Sequence, residues 1–197
     1  RAESGAWQSL LAGLATLFAL DAPPRRIEVY DNSHIQGRDA VGAMIVAGPE
    51  GLLKSAWRKY TLRASLANPG DDTAMMREVL TRRLSRALRD DPDRSRGTWP
   101  DLILIDGGAG QLASVTAVLD ALGIRDLALV GSATGPDGKT GEKVPTGRIT
   151  ATDKKSFDDS TLTPDAVLRK ILNAYMSGLK RCHKELLKSD PTAKGMV

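Results

Sequence analysis

Three aspartates stand where predicted secondary-structure elements begin or end. Asp31 directly follows a short β-rich run, Asp106 directly follows an apolar run, and Asp72 stands at the start of a predicted helix. Residues just beyond strand ends gather at one edge of an open sheet, so these carboxylates could meet there. Because like charges repel, such a cluster needs a cation, and Mg²⁺ or Mn²⁺ prefers a few carboxylate oxygens completed by water and phosphate. The pattern therefore indicates a Mg²⁺ or Mn²⁺ site that activates water for phosphodiester hydrolysis.

Each of these aspartates also has an ordinary structural interpretation. Asp71 or Asp72 could cap the helix by accepting hydrogen bonds from its first amides. Asp106 precedes two glycines and could shape a turn, and Asp31 could form an Asx-type turn with the residues after it. The spacing alone leaves both interpretations open.

Strand and helix patterns alternate along the chain in an order typical of an α/β protein. A turn at residues 48–51 joins the second and third strands and predicts an antiparallel hairpin, whereas the later strand–helix–strand units force their strands parallel. We therefore expect a mixed sheet of about five strands with flanking helices. A flavodoxin-like doubly wound sheet is the competing fold, and the early hairpin counts against it. The predicted strands are 26–30, 41–47, 53–62, 101–105 and 127–130, and the predicted helices are 7–20, 70–89, 111–122 and 164–188.

The same patterns divide the chain into four regions. Residues 1–22 form a helix that leads into the domain, residues 23–131 form its core, residues 132–163 form an irregular loop region with a weak hairpin at 148–151, and residues 164–197 form a C-terminal helix and tail. No apolar run reaches the roughly 18 residues that span a bilayer. The one cysteine excludes a disulfide within the chain and fits a reducing compartment. These features predict a cytoplasmic protein with no membrane segment.

Three long blocks of the sequence resemble the C-terminal nuclease region of the UvrC family of bacterial excinucleases. They are Ile27–Gly37 (IEVYDNSHIQG), Pro69–Arg83 (PGDDTAMMREVLTRR) and Pro100–Leu112 (PDLILIDGGAGQL), and their order and spacing also match. The resemblance implies an RNase H-like fold, with residues 23–131 as the nuclease core. It further implies a metal-dependent DNA endonuclease that makes the 5′ incision beside a lesion in nucleotide excision repair, within the bacterial SOS response.

The resemblance also implies a set of site residues and partners. The divalent ion would be held by Asp31, Asp72 and Asp106. The substrate would be damaged double-stranded DNA, on which UvrA-type and UvrB-type repair subunits load the nuclease. The family places an Arg-Asp-Glu-x-His stretch with a catalytic histidine on the last helix, which this sequence lacks; His183 lies nearby and is the candidate for that role.

Other positions depart from the family pattern. Thr73 replaces an aromatic residue, and Ala109 and Thr134 each replace a lysine. These departures favour an alternative in which the chain is a catalytically impaired RNase H-like module that binds DNA or a repair partner.

Basic residues on the third strand and on the following helix are candidates for contacts with DNA phosphates. The net charge of +4 is compatible with a polyanionic partner. Contacts of this kind are salt-dependent and largely independent of base sequence. A solvated, charged helix face is the ordinary alternative. The candidates are Arg58, Lys59, Arg77, Arg82 and Arg83.

A relaxed phosphate-loop pattern provides a third hypothesis. Residues 133–140 (ATGPDGKT) follow a predicted strand, and Lys139 would contact the phosphates of a nucleotide. That mechanism requires a helix whose N-terminus receives the phosphates. The residues after Thr140 include a proline and two glycines, which argue against a helix.

Overall fold

A computed structural model describes residues 2–35, 38–62, 71–105, 109–131, 133–134 and 140–141. The predicted helix 164–188 and the predicted hairpin 148–151 lie outside these residues. The helices are α1 (Ala2–Leu17), α2 (Asp72–Asp90) and α3 (Ala109–Ala121), with a 3₁₀ turn at Lys54–Ala56. The strands are β1 (Ile27–Ile35), β2 (Arg38–Gly48), β3 (Gly51–Leu52), β4 (Arg58–Thr61), β5 (Leu102–Ile105), β6 (Ala128–Gly131), β7 (Ala133–Thr134) and β8 (Thr140–Gly141).

The main sheet is mixed, as the sequence predicts. Its strands follow the order β3-β2-β1-β5-β6, and β4 also pairs with β2. The early strands β1 and β2 are antiparallel, whereas β1–β5 and β5–β6 are parallel. This arrangement follows from the connections, because a short link allows an antiparallel pair and the helical crossovers α2 and α3 return the chain for parallel pairing.

The predicted third strand, 53–62, is wrong in its first half, because residues 54–56 form a 3₁₀ turn and only residues 58–61 form a strand. Two short strands, β3 and β4, both pair with β2, and the 3₁₀ turn separates them. The amide of Leu53 still donates to the carbonyl of Val46 at 2.8 Å, and the chain then turns so that the indole of Trp57 donates to the same carbonyl at 3.4 Å. The sheet therefore has six strands instead of the expected five or so.

Side chains of β1 alternate between two hydrophobic layers. Tyr30 belongs to the layer under α2 and α3, whereas Ile27 and Val29 belong to the layer under α1. Strands β5 and β6 are buried on both faces, which accounts for their continuous apolar sequence. The buried stripe of α2 consists of Met75, Met76, Val79, Leu80, Arg83, Leu84 and Ala87.

Helix α1 ends earlier than its apolar pattern predicts. The helix stops at Leu17, and Ala19 adopts a left-handed conformation with φ of 48°. The amide of Leu20 donates to the carbonyl of Ala15 at 2.8 Å, which closes the helix C-terminus in the way that a glycine more often does. Because no glycine marks this position, the predicted end at Leu20 is three residues too late.

Four residues after β6 are described, and they form two short strands within the region that the sequence predicts as irregular loop. Strands β7 and β8 form a two-stranded antiparallel sheet, in which Ala133 pairs with Gly141 and Thr134 with Thr140. A phosphate loop would lead from a strand into a helix. The described residues of this segment instead form a strand pair, which argues against the nucleotide-binding hypothesis. Within the described ranges, no helix is long and apolar enough to cross a membrane.

Gly42 of β2 lies where α2 approaches the sheet closely, and this contact gives a stability prediction. A Cβ atom at Gly42 would overlap Cγ2 of Val79 and would lie 3.1 Å from Oδ1 of Asn32. A helical valine has one strongly preferred rotamer and cannot easily turn aside. Gly42→Ala is therefore expected to lower the free energy of unfolding by about 1–3 kcal/mol.

The matched control for this prediction is Gly13→Ala in α1. Nothing lies within 4 Å of a Cβ atom at Gly13. This change is expected to raise the free energy of unfolding by about 0.5–1 kcal/mol because alanine favours the helix. Urea denaturation followed by circular dichroism measures both values. Equal effects of the two substitutions would contradict the close approach at Gly42.

Candidate functional site

Strand β5 ends beside the middle of β1, and an aspartate is the next residue of each segment in the sequence. Tyr30 of β1 lies opposite Ile105 of β5, the last residue of that strand. Asp31 is the next residue of β1 and pairs with Ala43 of β2. Asp106 is the next residue after β5 in the sequence and lies outside the described residues. The register therefore places Asp31 one residue beyond the point where β5 ends, at the edge of the sheet formed by the carboxyl end of that strand.

The two aspartates at the start of α2, Asp71 and Asp72, have different roles. Asp71 is the N-cap, and its Oδ1 accepts a hydrogen bond from the amide of Ala74 at 2.9 Å. Asp72 is the first helical residue and is exposed. A negative charge at this position is favourable because the helix N-terminus carries a partial positive charge. The capping interpretation thus applies to Asp71 and not to Asp72.

This division of roles predicts different stability effects at the two positions. Asp71→Ala is expected to lower the free energy of unfolding by about 1 kcal/mol, since it removes the cap. Asp72→Asn is expected to lower it by less, about 0.3–1 kcal/mol, since a charge near the helix N-terminus contributes less than the cap does. Thermal and urea unfolding of the two variants measure the difference. A larger loss in Asp72→Asn would show that Asp72 carries the cap.

The described residues do not contain a complete metal-ligand group. Among them, no group of three or more His, Cys, Asp or Glu side chains could hold a metal ion. Asp106 and His183 are outside that set. Strand alternation puts Asp31 on the face covered by α1, while α2, which begins at Asp72, packs on the opposite face. The three-aspartate site remains a prediction.

Two carboxamides next to this edge are not identified as site residues from the sequence, in which Asn32 is considered only as part of a turn. Both Nδ2 and Oδ1 of Asn32 are buried and have no partner among the described residues, and the same holds for Oε1 of Gln111 in α3. Buried polar atoms without partners are uncommon and often mark a bound ion or water. Oxygen atoms of carboxylates and amides are also what Mg²⁺ and Mn²⁺ prefer, so the chemistry of these residues fits such an ion.

A buried ion-pair network below this edge also escaped sequence reasoning. The carboxylate of Glu28 is fully buried and accepts hydrogen bonds from Nη2 of Arg83 at 2.7 Å, from Nε of Arg26 at 2.8 Å and from the hydroxyl of Tyr30 at 2.6 Å. No motif identifies it, because a single glutamate inside a strand pattern usually indicates a solvent-facing position. The network joins β1 to α2.

Arg83 is therefore paired inside the fold, and this arrangement does not favour the predicted contact with DNA. Its side chain is 10% exposed, and its guanidinium also donates to the carbonyl of Thr98. Burial lowers the pKa of Arg83, but the charge of Glu28 outweighs it and leaves the pKa raised. Burial, together with the neighbouring Glu28 charge, also raises the pKa of Tyr30 well above its ordinary value. Both groups are thus fixed in their protonated forms inside the fold.

The link between α2 and β5 is held by a second buried carboxylate. Asp91 accepts hydrogen bonds from the amides of Arg96 and Thr98 at 3.0 and 3.2 Å and from the hydroxyl of Thr98 at 2.6 Å. Burial raises the pKa of Asp91, but these hydrogen bonds bring it below the ordinary value. The indole of Trp99 donates to the Asp91 carbonyl at 2.6 Å. These contacts fix where β5 begins relative to the end of α2.

The other four predicted DNA-binding residues are exposed. Arg58 and Lys59 lie on β4, whose described pairing is with β2, and Arg77 and Arg82 lie on α2. Each of the three arginines donates hydrogen bonds within the protein. Nη1 of Arg58 donates to the carbonyls of Ser55 and Trp57 at 2.9 and 2.6 Å, and Nε of Arg77 donates to Oγ of Ser114 at 3.2 Å. Nη1 of Arg82 donates to the carbonyl of Thr61 at 2.8 Å and to Oε1 of Glu78 at 3.2 Å. The guanidinium of Arg82 also lies 5.5 Å from the ring centre of Tyr60.

Comparison with known proteins assigns this arrangement to a class and to a family. The mixed sheet, with its antiparallel early strands and parallel later strands, is an RNase H-like α/β fold, which confirms the predicted fold class. The chain belongs to the family described as the UvrC RNase H endonuclease domain, whose model matches residues 15–170.

Similar curated proteins carry the same family name. UvrABC system protein C of Paramagnetospirillum magneticum is 63% identical over 142 residues, which are 72% of this chain and 23% of that protein. The protein of the same name from Ruegeria pomeroyi is 57% identical over 141 residues, again 72% of this chain and 23% of that protein. The chain thus spans less than a quarter of the length of these relatives.

A solved structure with a similar fold is an endonuclease V of Ciona intestinalis in complex with a 23mer DNA that contains an inosine followed by a ribo-adenosine. It superposes with a TM-score of 0.40 at 14% identity and covers 67% of this chain and 57% of that one. A likeness this distant carries no argument about function.

Proposed function

We propose that the chain is a divalent-metal-dependent DNA endonuclease module of nucleotide excision repair, which makes an incision of the 5′ type. Its membership of an endonuclease domain family supports the reaction class. One observation of the structure supports the site: β5 ends at Ile105, which lies opposite Tyr30 of β1, and Asp31 and Asp106 are the next residues of these two segments in the sequence.

In this proposal Asp31, Asp72 and Asp106 hold Mg²⁺ or Mn²⁺ through carboxylate oxygens. The bound ion would lower the pKa of water and stabilise charge on the phosphate. The role of the chain would be to hold three like charges near one ion, from Asp31 on β1, Asp72 in the first turn of α2 and Asp106 directly after β5 in the sequence. His183 is the candidate for moving a proton to or from the reacting oxygen, as a general acid or base.

The proposed substrate is damaged double-stranded DNA, and the proposed partners are UvrA-type and UvrB-type repair subunits in the cytoplasm. The exposed basic residues of β4 and α2 would contact phosphates of the DNA backbone. Such contacts add affinity that falls steeply with salt and does not depend on base sequence. The relatives named UvrABC system protein C support the assignment to this repair system.

A second candidate function is a catalytically impaired module that binds DNA or a repair partner. It is favoured by the missing family histidine and by the departure of the C-terminal third of the sequence from the family pattern. The replacements Thr73, Ala109 and Thr134 support the same alternative.

Metal titration tests the proposed site directly. The parent chain is expected to bind Mn²⁺ in isothermal titration calorimetry, and Asp106→Asn is expected to abolish that binding. Asp120→Asn is the matched control, because Asp120 is an exposed aspartate of α3. A folded Asp106→Asn variant that binds Mn²⁺ as well as the parent does would refute the three-aspartate site.

A further inference from the structure

Three buried side-chain atoms in the described part of the chain have no hydrogen-bond partner, and they belong to two carboxamides. They are Nδ2 and Oδ1 of Asn32 and Oε1 of Gln111. Burying an amide atom without a partner costs free energy, so such atoms require an explanation. Because both polar atoms of Asn32 lack partners, the opposite orientation of the amide, with nitrogen and oxygen exchanged, would also leave both atoms without a hydrogen bond.

Both carboxamides flank the edge that carries the proposed metal ligands. Asn32 directly follows Asp31 in β1. Gln111 is the third residue of α3 and follows Asp106 by five positions in the sequence. The unsatisfied atoms therefore come from β1, one residue after Asp31, and from the helix that follows β5.

The packing places the two carboxamides in the same layer of the fold. Asn32 alternates with Asp31 and lies on the face of α2, where its Oδ1 is 3.1 Å from the position of a Cβ atom on Gly42. Gln111 lies on the stripe of α3 that includes the buried Val115 and Val118. Both carboxamides therefore belong to the layer between the sheet and the helices α2 and α3.

We propose that Asn32 and Gln111 are positioning residues that hydrogen-bond to water molecules surrounding a divalent cation at this edge. The inference rests on the proposed function. Mg²⁺ gives up its water reluctantly and usually keeps several water ligands, and a buried water molecule makes about 2–4 hydrogen bonds. The two amides supply one donor and two acceptors, and they add no charge to the carboxylates that hold the ion.

The test compares metal affinity with stability in the absence of metal. In Asn32→Leu and Gln111→Leu, the Kd for Mn²⁺ is expected to rise about 10–100-fold, as for other outer-sphere partners of a metal. The melting temperature in a chelator is expected to stay the same or increase, because an apolar group replaces an unsatisfied amide. Gln8→Leu is the matched control, since Gln8 is exposed on α1. Asn32→Ala is the second variant, because the larger leucine side chain at position 32 could clash with Val79.

The outcomes separate this inference from the proposed function. Parent-like Mn²⁺ affinity in the Asn32 and Gln111 variants would overturn the inference alone, provided that Asp106→Asn still abolishes binding. A marked loss of metal-free stability in both Asn32 variants, with Mn²⁺ affinity unchanged, would also overturn it by assigning the amide to the fold. No Mn²⁺ binding by the parent chain would overturn both proposals, because there would then be no hydrated cation for the amides to contact.

Discussion

Arg83→Gln is expected to lower the free energy of unfolding by about 3–5 kcal/mol, because it removes the main partner of a buried carboxylate. Glu28 is fully buried, and Arg83 is the more deeply buried of the two guanidinium groups that contact it, with side-chain exposures of 10% for Arg83 and 17% for Arg26. Glutamine can still donate a hydrogen bond but cannot balance the charge. The remaining contacts from Arg26 and Tyr30 keep part of the network in place.

Arg86→Gln on the same helix is the matched control. Arg86 also forms an ion pair, with Asp90 at 3.1 Å, but its side chain is 74% exposed. Exposed pairs of this kind contribute little, so the change is expected to stay within about 0.5 kcal/mol of the parent. Urea denaturation followed by circular dichroism gives both values. A loss in Arg83→Gln no larger than in Arg86→Gln would contradict a buried, stabilising network.

The double variant Glu28→Gln/Arg83→Gln distinguishes a lost attraction from an orphaned charge. If the cost of Arg83→Gln comes mainly from leaving Glu28 charged and buried, neutralising both residues should cost less than the sum of the two single changes. Additive losses would instead assign the effect to packing alone.

Asp31→Asn is expected to reduce metal-dependent cleavage of damaged or nicked duplex DNA by more than about 100-fold, which exceeds the loss typical of an outer-sphere partner. Asparagine keeps the shape of the side chain and removes the charge that the proposed ion requires. The measurement is the rate of strand cleavage on labelled duplex with Mg²⁺ or Mn²⁺, beside a chelator control. Asp21→Asn is the matched control, because Asp21 is exposed in the segment between α1 and β1.

The results of this assay separate the two candidate functions. Cleavage that depends on the metal and on Asp31 would establish the nuclease proposal. Cleavage of equal rate in Asp31→Asn would refute the role of this residue. No cleavage by the parent, with Mn²⁺ binding intact, would favour the impaired module that needs other domains or partners.

Much of the fold follows from local patterns in the sequence. The continuous apolar runs of β5 and β6 predict strands buried on both faces, and the periodic apolar residues of α2 predict its extent to within two residues at each end. The mixed sheet follows from the early hairpin and the later crossovers. These features depend on the nearest neighbours in the chain, so a single sequence suffices to predict them.

Features that depend on distant residues could not be predicted in this way. The sequence makes Arg83 a candidate for contacts with DNA phosphates because it is a basic residue of a predicted helix, and only the three-dimensional contact with Glu28 shows why it is buried. Likewise, both Asp71 and Asp72 suit a helix N-cap, and the choice between them depends on backbone geometry. The unsatisfied amide of Asn32 has no sequence signature, because an absent partner leaves no pattern.

The sheet register also has a consequence for the order of folding. Strands β1 and β2 are neighbours in the chain, and their pairing extends to Ile35 with Arg38, so this hairpin can form early. The pairing of Ile27 with Leu102 joins residues far apart in the sequence, and closing so long a loop is entropically costly and slow. The edge with Asp31 is therefore completed only at a late step. A nascent or partly unfolded chain would lack the assembled edge, so the proposed capacity to cut DNA would arise together with the finished fold.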